Sequence, residues 1–353
     1  MDDRPLRLGT RGSQLARRQA ETVANALESH RFDVTLHEVT TTGDTLDTAL
    51  IHQLGKTGAF VRDLDERVLS GELDAAVHSL KDMPTEMPNG LIVAAIPERA
   101  PVGDVLVTPT GTELADLPRD AIVGTGSLRR QAQIQRTRDD LRVEPVRGNV
   151  DTRLEKVLAP FLQREREELD EQDEESLEEW IAERTAFERR AMDREVETAY
   201  DALVLAEAGL RRAALTDHIG MVPLPVDQFV PAPGQGAIAV VMRDEDDAKQ
   251  VHRRLDHPPS RVACTVERTI LSTLGGGCIA PIGVLGMVQG SVVRTRAQIL
   301  GRDGTEVVET TRELPIEDHL EEAVSLAEDL ARQGATELIA ASKRTAGAGP
   351  DPP

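Results

Sequence analysis

The chain has 353 residues, with 62 acidic and 41 basic side chains and a formal net charge of −21. That length suits roughly two to three domains of ~100–200 residues, with a core that needs no disulfide staples. No run approaches the ~18 consecutive apolar residues of a membrane span, and MDDRPLRLGTR has no signal-peptide core. So negative a surface repels nucleic acid and anionic membrane, which leaves a cytoplasmic α/β protein as the expectation.

In chain order, strand-like apolar runs alternate with helical patterns, which argues a parallel α/β sheet. Leu6–Leu8 precedes a helix from about Ser13, where Ala16, Ala20, Val23, Ala24 and Leu27 share one face. Val34–Val39 is the next strand, followed by a polar, threonine-rich stretch to Thr57. Ala75–Val77, Leu91–Ile96, Val105–Val107, Ile122–Val123, Leu203–Leu205 and Ile238–Met242 supply further strands. Proline and glycine punctuate Pro97–Gly103 and Pro231–Gly236, read here as two crossings between the same two domains.

A weak internal repeat supports two similar domains. LRLGTRGSQLARRQA (6–20) echoes AIVGTGSLRRQA (121–132), and LDAAVHSLKD (73–82) echoes YDALVLAEAG (200–209) in the same order. Residues 165–197 carry 15 acids and five arginines, a net charge of −10 and nearly half the total excess. Leu177, Trp180, Ile181, Phe187 and Ala191 recur there at helical spacing, so an acidic insertion with one docked amphipathic helix is expected. Only five of the 41 bases are lysine, and an acid-rich, lysine-poor surface suits a salt-rich cytosol. The last hundred or so residues read as a small α+β domain: a helix (Thr265–Leu274), Gly275-Gly276-Gly277-Cys278, a hairpin turning at Asp303-Gly304, and a helix over about Asp318–Gln333.

Each strand–Gly-Thr–helix turn directs backbone N–H groups at the crevice beyond the strand. The first turn adds Arg11 and Ser13, the second Thr125, Ser127, Arg129 and Arg130, and VRGNVDTRL (146–154) adds Arg147 and Arg153. Arginine suits carboxylates because its fork donates two parallel hydrogen bonds, so the set reads as a polyanion cleft inside an acidic chain. VHSLKDMP (77–84) places His78, Ser79, Lys81 and Asp82 where an α/β crevice opens. A carboxylic acid beside these cations can exchange a proton and oppose a developing positive charge. His78 is read as a core hydrogen-bonder in preference to a base. No CxxC or HExxH occurs and the eight histidines show no metal-ligand spacing, so no metal is expected. Cys278, after three glycines, is a candidate for covalent attachment, whereas Cys264 starts an apolar helical stretch and reads as buried.

Together these residues resemble the porphobilinogen deaminase (hydroxymethylbilane synthase) family. The motifs are RLGTRGSQLA (7–16), GAFVRDLDE (58–66), VHSLKDMP (77–84), VGTGSLRR (123–130), VRGNVDTRL (146–154), YDALVLAEAGLRR (200–212), PAPGQGA (231–237) and GGGCIAPIG (275–283). The resemblance implies two periplasmic-binding-protein-like, doubly wound α/β domains and a small α+β C-terminal domain. The expected boundaries are 1–98 plus 237–256, then 102–230 with the insertion at about 159–197, then 259–345 and a flexible tail over 346–353. It implies a dipyrromethane cofactor joined by thioether to Cys278, which primes head-to-tail addition of four porphobilinogen units with loss of ammonia. Asp82 matches the catalytic aspartate, which assists departure of the amine and stabilises the cationic azafulvene. Lys81, Thr125, Ser127, Arg129 and Arg130 match cofactor-binding positions, and Arg11, Ser13, Phe60, Arg147 and Arg153 match substrate-binding ones. A monomer is implied.

Three departures stand out: Thr57 and Lys56 where the family often has lysine before GAFV, Gly126 for a frequent serine, and the long acidic segment. Gln235 falls at a domain crossing, with a positioning or hinge role. The competing reading is a non-catalytic binder of small polycarboxylates, which needs neither Asp82 nor an accessible Cys278.

Overall fold

The computed structural model describes residues 4–39, 59–170, 174–216, 219–277 and 280–347. They fall into two compact units: Met1–Val102, Val230–Arg302 and Glu306–Pro353 in one, Gly103–Phe229 and Asp303–Thr305 in the other.

Strand β1 (Leu6–Arg11) leads through Gly12 and Ser13 into helix α1 (Gln14–Ser29). Ser13 is the helix cap, its hydroxyl accepting from the Ala16 N–H at 3.3 Å, which satisfies one of the orphan donors of the first turn. Ala20, Val23, Ala24 and Leu27 bury the face that the sequence spacing assigns to them. Strand β2 (Val34–Val39), helix α2 (Ala59–Leu69), β3 (Ala75–Ser79) and β4 (Leu91–Ala95) complete this segment. The second unit contains β5 (Asp104–Thr108), β6 (Ile122–Gly124), α3 (Leu128–Thr137), β7 (Arg142–Glu144), α4 (Val150–Asp170) and α5 (Glu174–Glu183). It closes with α6 (Ala186–Met192), β8 (Ala202–Ala206), α7 (Glu207–Ala213) and β9 (Gly220–Pro223). The chain then returns to the first unit as β10 (Ile238–Arg243).

The two five-stranded sheets have one topology. Their orders are β2-β1-β3-β10-β4 and β7-β6-β8-β5-β9. In each, four strands are parallel to one another and the fifth is antiparallel, β10 between β3 and β4, and β5 between β8 and β9. Alternation along the sequence argues for parallel strands, and it holds for four of the five in each sheet. β5 and β10 enter from crossing segments, so no right-handed βαβ connection fixes their direction.

Equivalent residues do equivalent work in the two sheets. Leu8 pairs with Ala75, and Val123 with Ala202. One position on, a Cβ at Gly9 would meet Leu73 Cδ1 at 2.4 Å, and a Cβ at Gly124 would meet Leu203 Cδ2 at 2.4 Å and Tyr200 Cδ1 at 2.8 Å. Asp74 accepts the Arg7 N–H at 2.9 Å, and Asp201 accepts the Ile122 N–H at 2.7 Å. These shared contacts give the sequence repeat a structural basis.

The acid-rich stretch forms the end of α4, then α5 and α6, where the sequence suggests one docked helix. A capping box divides it: Thr185 Oγ1 accepts from the Glu188 N–H while Glu188 accepts from the Thr185 N–H. Phe187, Ala191 and Met192 enter the cluster formed by Leu154, Val157, Leu158 and Leu162 of α4, and Trp180 packs against it. Arg190 and Arg194 bind Glu155 at 3.1 and 3.0 Å, so the acids stay outward while the apolar side is covered.

The last segment begins with α8 (Asp246–Leu255) and α9 (Pro258–Thr273). An antiparallel sheet follows, β11 (Ile282–Gln289), β12 (Val292–Leu300) and β13 (Val307–Pro315), with α10 (His319–Arg332) and α11 (Ala335–Gly347) after it. Val266, Ile270, Val284, Ile299, Leu326 and Leu330 build its core. Asp303-Gly304 turns as expected, with Gly304 at φ +77° and Asp303 accepting from the Thr305 N–H.

Candidate active site

In the first unit the candidate side chains stand beyond the C-terminal ends of β1 and β3, which are adjacent and parallel. Arg11 ends β1, and Ser13 caps α1 just after it; both are half-buried. β3 runs straight into a single 3₁₀ turn, Leu80–Asp82. Leu80 and Met83, three apart and therefore on one side of such a turn, are buried. Lys81 is left half-buried and Asp82 exposed. The Leu80 N–H donates to Ala237 O at 3.0 Å, which ties the turn to the start of β10.

His78 lies beneath this turn as a core residue: it is 5 % exposed, with Nε2 3.0 Å from Asp65 Oδ1 on α2. The hydrogen-bonding reading of the sequence therefore holds, and Asp65 is a partner that the sequence did not reveal. Phe60 stands in the first turn of α2, and its side chain lies outside the described residues. Lys56, Thr57 and Cys278 also lie outside them.

In the second unit the turns after β6 and β7, again parallel neighbours, carry the candidates. Thr125 is buried and its hydroxyl accepts from the Ser127 N–H at 3.2 Å. Ser127 caps α3 as Ser13 caps α1, accepting from the Arg130 N–H. Arg147 is exposed after β7, and half-buried Arg153 curls back so that its Nε donates to Gly148 O at 2.7 Å.

Arg129 and Arg130 do not project from an open turn, as their place beyond the strand end suggests. They are 3 % and 6 % exposed and share one buried carboxylate, Asp104 at the start of β5. Arg129 Nη1 lies 2.8 Å from Asp104 Oδ2; Arg130 donates from Nε and Nη2 to Oδ1 at 3.1 and 2.8 Å. Arg130 also donates to Val204 O at 3.0 Å, and Arg129 to Gln133 at 2.9 Å. Burial alone would push the Asp104 carboxyl up, but the two guanidiniums outweigh it and hold the acid well below the usual carboxylate range. Burial, with the neighbouring Arg130 charge added, lowers the Arg129 guanidinium against the pull of Asp104. Two guanidiniums face one carboxylate, a net positive charge that suits an acidic ligand. The sequence signal for Asp104 was a lone acid opening an otherwise apolar, fully buried strand, DVLVT.

Around the crossing segments of the first unit, Glu267 on α9 is fully buried and satisfied. Arg99 binds it with both Nη atoms at 2.7 and 2.9 Å, and the Gly234 and Gly286 N–H groups complete its shell. Gln235 is fully buried, donating to Val102 O and accepting on its backbone oxygen from Arg99. Cys264 is buried as expected, and burial, with Glu267 adding, pushes its thiol up to about 12. No cluster of metal-ligating side chains occurs among the described residues, and none of their helices is long and apolar enough to cross a membrane.

Two family models match the chain. The porphobilinogen deaminase dipyrromethane-cofactor-binding domain covers residues 6–163 and 184–251, and the porphobilinogen deaminase C-terminal domain covers 262–333. The unmatched residues 164–183 include the end of α4 and all of α5. A probable porphobilinogen deaminase of Halobacterium salinarum is 46 % identical, covering 96 % of this chain and 98 % of its own length. One from Methanosarcina barkeri is 39 % identical over 94 % of this chain and 93 % of its own. The porphobilinogen deaminase of Desulforudis audaxviator is 37 % identical over 94 % and 96 %. With both models matched and full-length relatives at this identity, the chain belongs to the porphobilinogen deaminase family.

Proposed function

We propose that Asp82 handles the proton in this chain's reaction and that Lys81, Thr125, Ser127, Arg129 and Arg130 hold the dipyrromethane attached through Cys278. Arg11, Ser13, Phe60, Arg147 and Arg153 bind the substrate in this reading. The reaction is that of the family: a transferase polymerises porphobilinogen into hydroxymethylbilane, with loss of ammonia, in tetrapyrrole biosynthesis. The observation that carries the assignment is the turn after β3, which anchors Leu80 and Met83 in the core and leaves Lys81 half-buried and Asp82 exposed.

When bound, the cofactor supplies the pyrrole on which the product chain grows. Asp82 in its acid form gives a proton to the amine nitrogen leaving porphobilinogen. As a carboxylate it then opposes the positive charge on the methylene carbon left behind. Formation of the new carbon–carbon bond releases a proton from the attacked ring, and its return to the Asp82 carboxylate restores the acid for the next unit. Each pyrrole carries an acetate and a propionate, so cations and hydroxyls on strand-end turns orient the chain by its carboxylates.

The division into residues 1–98 with 237–256, 102–230 and 259–345 is part of the same proposal, supported by the separate sheets. The composition, acid-rich with only five lysines, supports a salt-adapted cytoplasmic protein with neither nucleic acid nor membrane as partner, and a monomer follows from the family resemblance alone.

The deciding test is the intact mass of the purified chain, with Cys278→Ser beside it. Wild type is expected to be heavier than its sequence by one dipyrromethane, and the variant to lack that increment. A folded wild type that stays unmodified after exposure to substrate would sink the proposal in favour of a polycarboxylate binder.

A further inference from the structure

We infer that Arg268 is a positioning residue for Asp82, by which the helix leading to the cofactor cysteine sets the geometry of the proton-handling turn. The inference rests on the roles just proposed for Asp82 and Cys278. Arg268 is on α9, and its guanidinium reaches three backbone oxygens of one turn. Nη1 donates to Leu80 O at 3.2 Å and to Met83 O at 3.4 Å, and Nη2 donates to Pro84 O. Those three carbonyls bracket Lys81 and Asp82 on both sides.

The turn needs such support. A single 3₁₀ turn has poor internal hydrogen bonding, and the bond that closes it here, Met83 N–H to Leu80 O, is long at 3.3 Å. Ser79 gives it no side-chain cap. A groove of about 330 Å³ lies along α9, lined by Leu80, Thr85, Arg268 and Thr269 among others. Cys264 of α9 shares an apolar cluster with Leu80 and Met83, and beside the groove the guanidinium adds charge-assisted bonds to the turn's backbone. Arginine suits this task because its planar fork reaches several acceptors at once with its donors already oriented.

The far side of α9 is fixed as well. Glu267, one residue earlier, receives Arg99, Gly234 and Gly286. Adjacent residues of one helix thus bind the crossing segments, the first strand of the C-terminal sheet and the Asp82 turn. The same helix ends at Thr273 and passes through Leu274 and Gly275–Gly277 toward Cys278. α9 therefore couples the cofactor's point of attachment to the carboxyl that works on each added unit.

Arg268→Met and Arg268→Lys test this, each purified as the cofactor-loaded enzyme with loading verified by intact mass. Arg268→Met is expected to lower kcat about 10- to 100-fold with KM within about twofold, as a misplaced catalytic group does. Arg268→Lys, which keeps a cation able to hold part of the turn, is expected to recover a measurable share of that loss. Arg190→Met, which removes an ion pair on α6, controls for lost stability and should leave kcat unchanged. Should loaded Arg268→Met keep wild-type kcat while Asp82→Asn is inactive, the positioning role is overturned and the proton role stands. Equal losses in Arg268→Met and Arg268→Lys, each matched by a fall in melting temperature, would likewise reduce Arg268 to a structural tie. If Asp82→Asn itself turns over normally, the proton reading fails and takes this inference with it.

Discussion

In the first α/β domain β3 ends in the Leu80–Asp82 turn; in the second, β8 ends at the same place in α7, whose first residue, Glu207, is bonded to Arg211 at 2.7 Å. The difference runs the other way at the neighbouring turn. Arg129 and Arg130 follow the cap Ser127, where Leu15 and Ala16 follow the cap Ser13. Opposite them, Asp104 pairs with Ala206 in one sheet, while Ile238 pairs with Ser79 in the other. The first domain thus builds the same sheet with apolar residues where the second buries one carboxylate and two guanidiniums. A buried ion cluster is weak evidence of stabilisation, because desolvation offsets much of its Coulomb energy. The fold plainly does not require it, and its presence in one copy alone agrees with the cofactor-holding role proposed for Arg129 and Arg130. The two copies thus differ at their strand-end positions: the first carries Asp82 with Arg11 and Lys81, the second the buried Arg129 and Arg130.

The largest expected effect is on the acid. Asp82→Asn should lower turnover by about 10²- to 10⁴-fold while leaving stability near wild type, since the side chain is exposed. Near-normal turnover in a steady-state assay would break the assignment of the proton step to the first domain.

The cation cluster comes next. Asp104→Asn removes the shared carboxylate and should cost about 3–5 kcal/mol in urea unfolding, because two buried cations then lack their counter-charge. Transplanting the first domain's set, Asp104→Ile with Arg129→Leu and Arg130→Ala, should cost less than Asp104→Asn alone and still abolish cofactor loading, read by intact mass. A triple variant less stable than the single one would overturn the equivalence of the two copies. The sign of the pH dependence follows from Asp104. Its folded pKa is depressed, so its contribution is complete above the unfolded value of about 4. The contribution falls away as pH drops toward the folded value, and the gap between wild type and Asp104→Asn should narrow on acidification.

The smallest effect concerns the caps. Ser13→Ala and Ser127→Ala should each cost about 1 kcal/mol, read from chemical denaturation. Clearly unequal losses would separate turns that the repeat makes equivalent.

Much of the site was legible because it is local. SLKD follows a strand and GTGSLRR a second one, so strand, turn, cap and polar side chains are contiguous in sequence. The two-fold repeat was legible for the same reason, through Gly-Thr followed closely by a capping serine and through Asp-Ala at the strand start. Residues that act across the chain were not. Asp104 reaches Arg130 26 positions away, and Arg268 reaches Leu80 188 positions away. A lone Asp or Arg carries no spacing signal for such partners. β11 was missed because Gly283 and Gly286 interrupt its alternation; a Cβ at Gly283 would meet Val230 O at 2.5 Å, a close approach that only the folded chain reveals.

The sequence by itself determined the family, the α/β class and the repeated turns, and it supplied the candidate acid and cations, because all of these rest on short-range pattern. The net charge of −21 was also plain, and in the folded chain a large part of it lies on helices whose apolar side is covered. Tertiary structure decided which cations turn inward, which carboxylate they share and what holds the Asp82 turn in place. Those outcomes depend on desolvation and on contacts between distant segments, and neither exists until the sheets close and bring β5 beside β8 and α9 beside the turn.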